Sequence, residues 1–223
     1  MFPPDPVASA AVSNPDPEPV RSTDPAVIER DKRIYQPASW FERLNLAQMF
    51  GRTVPVEVEL GSGDGSFLLE WARLHPDRDF IGVERLLGRI RKIDRKSQKL
   101  GLTNILGLRI EAAYCVEYLL PSASASAIHI YFPDPWPKRR HHKNRLVNER
   151  FTTLVREALK PGAAVHLRTD STDYFEQMRT VFDACAGLRA VPTPADLAAV
   201  MTDFERGFVA AGIPTQRASY VKD

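Results

Sequence analysis

From Val56 onward, β-branched apolar runs alternate with helical stripes, and this alternation limits the available folds more than any other feature. "VEVEL" (56–60) reads as a strand, followed by a glycine-rich turn and a helix through "SFLLEWARL" (66–74). "DFIGVE" (79–84) is a second strand. Over 85–100, Leu86, Ile90, Ile93, Ser97 and Leu100 fall three or four apart and form one helical face. "NILGLRI" (104–110), "AIHIYF" (127–132) and "AAVHLRT" (163–169) supply further strands, with helices expected around 113–120, 145–159 and 171–185. Such alternation predicts an α/β fold: a doubly wound, mainly parallel sheet with helices on both faces. Functional residues are then expected on loops at the C-terminal edge of the strands.

With 223 residues, 43% of them hydrophobic, the chain suffices for one domain and a tail. Residues 1–25 hold seven of the eighteen prolines and no apolar period, and read as a disordered Pro/Asp-rich arm. Residues 26–55 form a lead-in, and 56–223 the main domain. The arm carries four acids and one base, so the remainder has 29 bases against 24 acids, a net of about +5. No apolar run reaches membrane-spanning length and no signal-peptide pattern opens the chain, so a cytoplasmic protein without a membrane partner is expected. Cys115 and Cys185 show neither C-x-x-C nor metal-ligand spacing, so neither disulfide, zinc nor other metal is expected.

The first strand runs into "ELGSGDGSF", with Gly61, Ser62 and Gly63 in the turn. A glycine turn between strand and helix lets a ligand approach the backbone. Here the spacing is G-x-G-x-G, and Glu59 and Asp64 add negative charge where a pyrophosphate would lie, which argues against a dinucleotide. S-adenosylmethionine has no phosphate and carries a sulfonium and an ammonium, which suit carboxylates. Glu84, closing the second strand, is placed to accept hydrogen bonds from ribose hydroxyls. The plain alternatives are that Glu59 is an acid at the sheet edge and Glu84 caps the next helix.

"FPDPWPKRRHHKNRL" (132–146) follows the strand "AIHIYF". Prolines on either side of Asp134 fix φ and pre-aim the carboxylate. A tight turn with an Asx cap and a packed Trp136 is the structural alternative. Five Lys/Arg and two histidines come next, and Arg85, Arg89, Arg91, Lys92, Arg95, Lys96 and Lys99 form a second basic cluster. Each cluster alone reads as a solvated face. Together, at one edge of the sheet, they suit a polyanion.

"VELGSGDGSF", "FIGVE", "FPDPWPKRRHHKNRL", "LRTD" and "TDFERGF" resemble the successive motifs of bacterial tRNA (guanine-N7)-methyltransferases, from about Val56 onward. The resemblance implies a Rossmann-like, S-adenosylmethionine-dependent enzyme with a seven-stranded sheet, methylating the variable-loop guanosine numbered 46 in tRNA. It implies cofactor contacts from Glu59, Gly61, Ser62, Gly63, Glu84 and Asp134, and catalysis by Asp134. By the same resemblance Lys138, Arg140, His141, His142, Lys143, Asn144, Arg145 and Asp170 meet the substrate, as do Thr202, Asp203, Phe204 and Glu205. Tyr114 stands where Asp or Asn usually meets the adenine, and a tyrosine there can stack or offer its hydroxyl. Asn144 replaces a base. In structural terms, Asp170 also reads as a helix N-cap and Thr202-x-x-Glu205 as a capping box. No obligate protein partner is implied.

Two other functions fit the residues. One is a methyltransferase of this fold acting on a protein or small-molecule nitrogen, which needs no basic clusters. The other is a non-catalytic RNA-binding relative, for which Tyr114 is the support.

Overall fold

A computed structural model describes residues 32–223; the expected arm at 1–25 lies outside them. Eight strands form one sheet: β1 (Ile34–Tyr35), β2 (Val56–Leu60), β3 (Asp79–Val83), β4 (Ile105–Leu108), β5 (Ala125–Tyr131), β6 (Leu159–Thr169), β7 (Leu188–Val191) and β8 (Gln216–Lys222). Their order is β1-β4-β3-β2-β5-β6-β8-β7. The strands from β1 to β6 pair in parallel, while β8 runs antiparallel to both β6 and β7.

The α/β architecture agrees with the sequence, with one strand more than the expected seven. The addition is β1, two residues of the lead-in whose Ile34 and Tyr35 pair with Gly107 and Leu108. Leu44 and Met49 of the same segment are buried in the core, the latter on α1 (Leu46–Phe50). The described part of the lead-in, residues 32–55, therefore packs as part of the domain.

β2 is buried at all five positions, although "VEVEL" alternates. Both faces of this central strand are covered, as in parallel sheets generally. On one side α2 (Ser66–Leu74) and α3 (Leu87–Lys99) bring Phe67, Leu68, Trp71, Ile90 and Ile93 onto the sheet. On the other, α5 (Glu149–Ala158) and α6 (Thr172–Asp183) bury Phe151, Val155, Tyr174, Met178 and Phe182. Only the middle of the expected 85–100 stripe is buried: Leu86 precedes the first turn of α3, Leu100 follows its last, and both are exposed.

The helix expected over 113–120 is instead α4 (Ala112–Tyr114) running into a π-helical turn, Cys115–Leu119. That expected over 145–159 begins at Glu149, capped by the Asn148 side chain. Before it, Arg139–Asn144 form a 3-10 helix. Two short helices, α7 (Ala195–Ala199) and α8 (Asp203–Ala210), lead to β8.

β2 runs on to β3 and β4 on one side, and β5 continues to β6 on the other. The winding direction reverses between β2 and β5, and the crevice beyond the C-terminal ends of these strands is where such sheets bind ligands.

Candidate functional site

A cleft of about 660 Å³ opens at that edge, with Gly61, Glu84, Asp134, Asn144 and Arg145 among its lining residues. Its first wall is the glycine loop. Gly61 and Gly63 have φ of 80° and 56°, values L side chains rarely adopt, and nothing lies within 4 Å of where a Cβ would be. At Gly65 a Cβ would come 2.8 Å from Ile93 Cγ1, so that glycine lets α2 approach α3. The Gly61 and Ser62 amides both donate to the Val83 carbonyl, at 2.9 and 3.0 Å. Asp64 accepts from Lys96 Nζ at 3.0 Å and ties the loop to α3.

Glu59 and Glu84 differ in what they meet. Glu84 Oε1 accepts from the Leu86 amide at 2.8 Å, one residue before α3 begins, so it does not cap the helix as its plain alternative expected, and Oε2 lies 3.5 Å from Arg89. Glu59 is 3% exposed, and its Oε2 is buried without a hydrogen-bond partner. Burial raises its carboxyl to about 8; Arg168 pulls against this, and Asp64 and Glu84 push with it. An unpartnered buried carboxylate is costly unless a ligand completes it. Glu59 does not itself line the cleft, but its carboxyl, once deprotonated, precedes an open glycine loop and suits a cationic, phosphate-free ligand such as S-adenosylmethionine.

The opposite wall is the loop after β5. Phe132 and Trp136, at either end of Pro-Asp-Pro, have φ of 50° and 42°. Such conformations cost about 1–3 kcal/mol each and persist only where the surroundings impose them. Asp134 stands exposed between them, with no hydrogen bond or ion pair among the described residues. Trp136 is half-exposed, with its edge toward the His141 ring, rather than packed in the core.

Residues 53–218 match a family described as "Putative methyltransferase". The chain belongs to that methyltransferase family. It is 39% identical over 152 residues to a tRNA (guanine-N(7)-)-methyltransferase of Chromohalobacter salexigens, covering 68% of this chain and 62% of that one. A protein of the same name from Alkalilimnicola ehrlichii is 36% identical over 162 residues, or 70% and 68% of the two chains. The chain spans about three fifths of the length of several such relatives. A 30S ribosomal A1408 methyltransferase from an uncultured bacterium shares the fold with a TM-score of 0.59 at 20% identity, over 85% of this chain and 96% of its own. The 16S rRNA methyltransferase KamB does so with 0.59 at 18%, over 86% and 100%.

Several residues expected at the site of this methyltransferase-family protein are engaged elsewhere. Tyr114 does not line the cleft: its hydroxyl donates to the Trp40 carbonyl at 2.9 Å and its ring packs on Tyr118. The acids that line the cleft nearby are Glu111, whose Oε2 caps the Tyr114 amide at 2.8 Å, and Glu117, ion-paired with Arg150. Sequence reasoning missed both; their place in the segment after β4 was the available signal. Ser62 is buried, its hydroxyl 3.4 Å from the Val83 carbonyl it donates to.

At the C-terminal motif, Thr202 Oγ1 accepts from the Glu205 amide at 2.9 Å, so Thr202 is the N-cap, but the reciprocal half of the expected capping box is missing because the Glu205 carboxylate is bonded to Arg168 and Arg217. Glu205 is fully buried in ion pairs with Arg168, at 2.9 Å, and Arg217, and no substrate can reach it. Asp203 pairs with Arg206, while Phe204 is exposed near Phe132. Asp170 does not cap α6, because Ser171 does. It follows β6, beside the end of β5, with no partner among the described residues.

Within the basic run, Lys138, Arg140, Lys143 and Asn144 are exposed, and His141 is partly so, accepting from Arg140. His142 Nε2 is 3.7 Å from Asp173. Arg145 is the exception. It is 3% exposed, with its guanidinium in contact with Pro135, Gln177 and Asp173, and is not available to RNA phosphates.

Proposed function

We propose that this protein transfers a methyl group from S-adenosylmethionine to N7 of a guanosine in tRNA, at variable-loop position 46. The observation carrying this reading is Asp134: an unpaired carboxylate, set between two residues of strained backbone, on the cleft it shares with Gly61 and Glu84. The names of the curated relatives support the reaction class and the tRNA substrate.

S-adenosylmethionine, when bound, supplies an electrophilic methyl group on a sulfonium. Glu59 holds the positive end of the cofactor, Glu84 Oε2 the ribose, and Gly61 and Gly63 leave room for it against the backbone. Glu111 takes the adenine side that Tyr114 leaves. Guanine N7 has an in-plane lone pair and needs no proton removed, so positioning and electrostatics supply the acceleration. Asp134 accepts hydrogen bonds from guanine N1–H and the 2-amino group, and offsets the charge the base gains. Lys138, Arg140 and Lys143, with Arg85, Arg91 and Lys92, meet phosphates.

These exposed cations on both sides of the cleft favour RNA over a protein or small-molecule acceptor. The non-catalytic alternative loses its support, since Tyr114 lies outside the cleft while Glu111 and Glu117 line it. Incubation with labelled S-adenosylmethionine and unmodified tRNA, followed by nucleoside mapping, is expected to give N7-methylguanosine at position 46. Label on RNA-free protein or small molecules alone would overturn the reading.

A further inference from the structure

Arg145 lies in a basic run but belongs to the interior, and its contacts converge on the loop that carries Asp134. Its Nη1 donates to Gln177 Oε1 at 2.6 Å, Nη2 to Asp173, and Nε to the Pro135 carbonyl at 2.8 Å. The guanidinium also lies over the Tyr174 ring, 4.8 Å from its centre. α6 grips the adjacent backbone as well: the Val147 amide donates to Tyr174 Oη at 3.0 Å, and the Val147 carbonyl accepts from Gln177 Nε2 at 3.0 Å. Residues 145–147 are thus fixed to α6 by both side chain and main chain.

Pro135 has no amide hydrogen, and neither does Pro133 or Pro137, so the carbonyl is the one main-chain handle Pro135 offers. Arg145 takes it, one residue after Asp134 and one before the strained Trp136. We propose that Arg145 is a positioning residue that, braced by Asp173 and Gln177, holds the Pro135 carbonyl and thereby aims the Asp134 carboxylate into the cleft. This rests on the function proposed above for Asp134. It assigns α6 a role in the reaction although none of its residues lines the cleft.

A planar fork serves this geometry where an ammonium does not, because three contacts in different directions must be met at once. Displacing a reacting group's partner by about 1 Å costs on the order of 10²-fold in rate. Arg145→Lys keeps the charge and loses the fork, so it is expected to slow single-turnover methylation by roughly 10²-fold at saturating tRNA. Cofactor affinity and the salt dependence of tRNA binding are expected to match wild type.

The decisive comparison adds Arg145→Lys to Asp134→Ala, where it is expected to cause no further loss, because the group it aims is gone. A Trp136 fluorine resonance in 5-fluorotryptophan-labelled protein reads the loop without substrate, and is expected to shift and broaden in Arg145→Lys and in Gln177→Ala. A wild-type rate in Arg145→Lys, an equal rate loss in the Asp134→Ala background, or an unchanged Trp136 resonance would overturn the proposal. A salt slope reduced by about one phosphate contact in Arg145→Gln, which removes the charge, would return Arg145 to the phosphate contacts. Failure of wild type to methylate tRNA would instead sink the functional reading, leaving the Trp136 resonance to decide whether the clamp exists.

Discussion

The Tyr114 hydroxyl donates to the Trp40 carbonyl at 2.9 Å, so the residue expected to meet adenine ties the lead-in to the domain instead. Arg43, bonded to the Leu120 carbonyl at 2.7 Å, fastens the same segment. Tyr114→Phe should leave cofactor affinity unchanged and lower stability by about 1 kcal/mol, the net worth of one hydrogen bond. Calorimetry and urea melts on one sample check both. A large loss of cofactor affinity would return Tyr114 to the site.

Glu59 makes cofactor binding depend on pH. In the free protein its carboxyl is held up to about 8 by burial, so near neutrality it keeps a proton that must leave before it meets a cation. Affinity for S-adenosylmethionine should therefore rise by up to about tenfold per pH unit below 8 and level off above. Calorimetry in buffers of different ionisation enthalpy should show nearly one proton released at pH 7. Glu59→Gln should abolish both effects.

The same residue sets a stability trend of opposite sense. Because its folded value lies above its unfolded one, Glu59 contributes stability that is fully present below about 4.5 and lost as pH rises through about 8. Glu59→Gln should thus be more stable than wild type at pH 9, by about 1–3 kcal/mol, while binding cofactor poorly. Melts at pH 6 and 9 test this, and a difference that does not grow with pH would refute it.

Glu205 should behave as a structural residue. Glu205→Gln leaves Arg168, 1% exposed, without its charge partner, at a cost of about 3–5 kcal/mol. The fraction that remains folded should turn over normally, with wild-type affinity for tRNA. A fully folded variant with impaired turnover would place Glu205 at the substrate after all.

Replacing Lys138, Arg140 and Lys143 with Ala together should weaken tRNA binding and flatten its salt dependence by about one phosphate contact each. Cofactor affinity should not change. An unaltered slope would make this run a solvated face.

The central strands were legible because each is a short run rich in β-branched and apolar residues, and the site edge followed from the order of elements. β1, β7 and β8 were not: the two residues of β1 carry no period, and β7 and β8 bury only a minority of their residues. Asp134 could be singled out from its flanking prolines, which act locally. Arg145 could not, because what buries it lies on α6, 28 and 32 residues away, and a run of like charges looks solvated throughout. Thr202 and Glu205 fit both a capping box and a substrate site. The positions of Arg168 and Arg217 take the Glu205 carboxylate away from both roles and leave Thr202 as the N-cap, and those positions depend on how β6 meets β8.

β8 lies between β6 and β7, though both precede it in the chain. β7 therefore has no neighbour in the sheet until residues 216–222 arrive. Until then, β6 has an open side along Ala164 to Thr169, the positions that β8 will pair. During synthesis, β1 to β6 can assemble the cleft while this open edge waits, able to recruit strands from other chains. Insertion of β8 closes that edge and brings Arg217 to Glu205 in the same step. Completion of the sheet and the addition of a second arginine to the Arg168–Glu205 pair are thus one event.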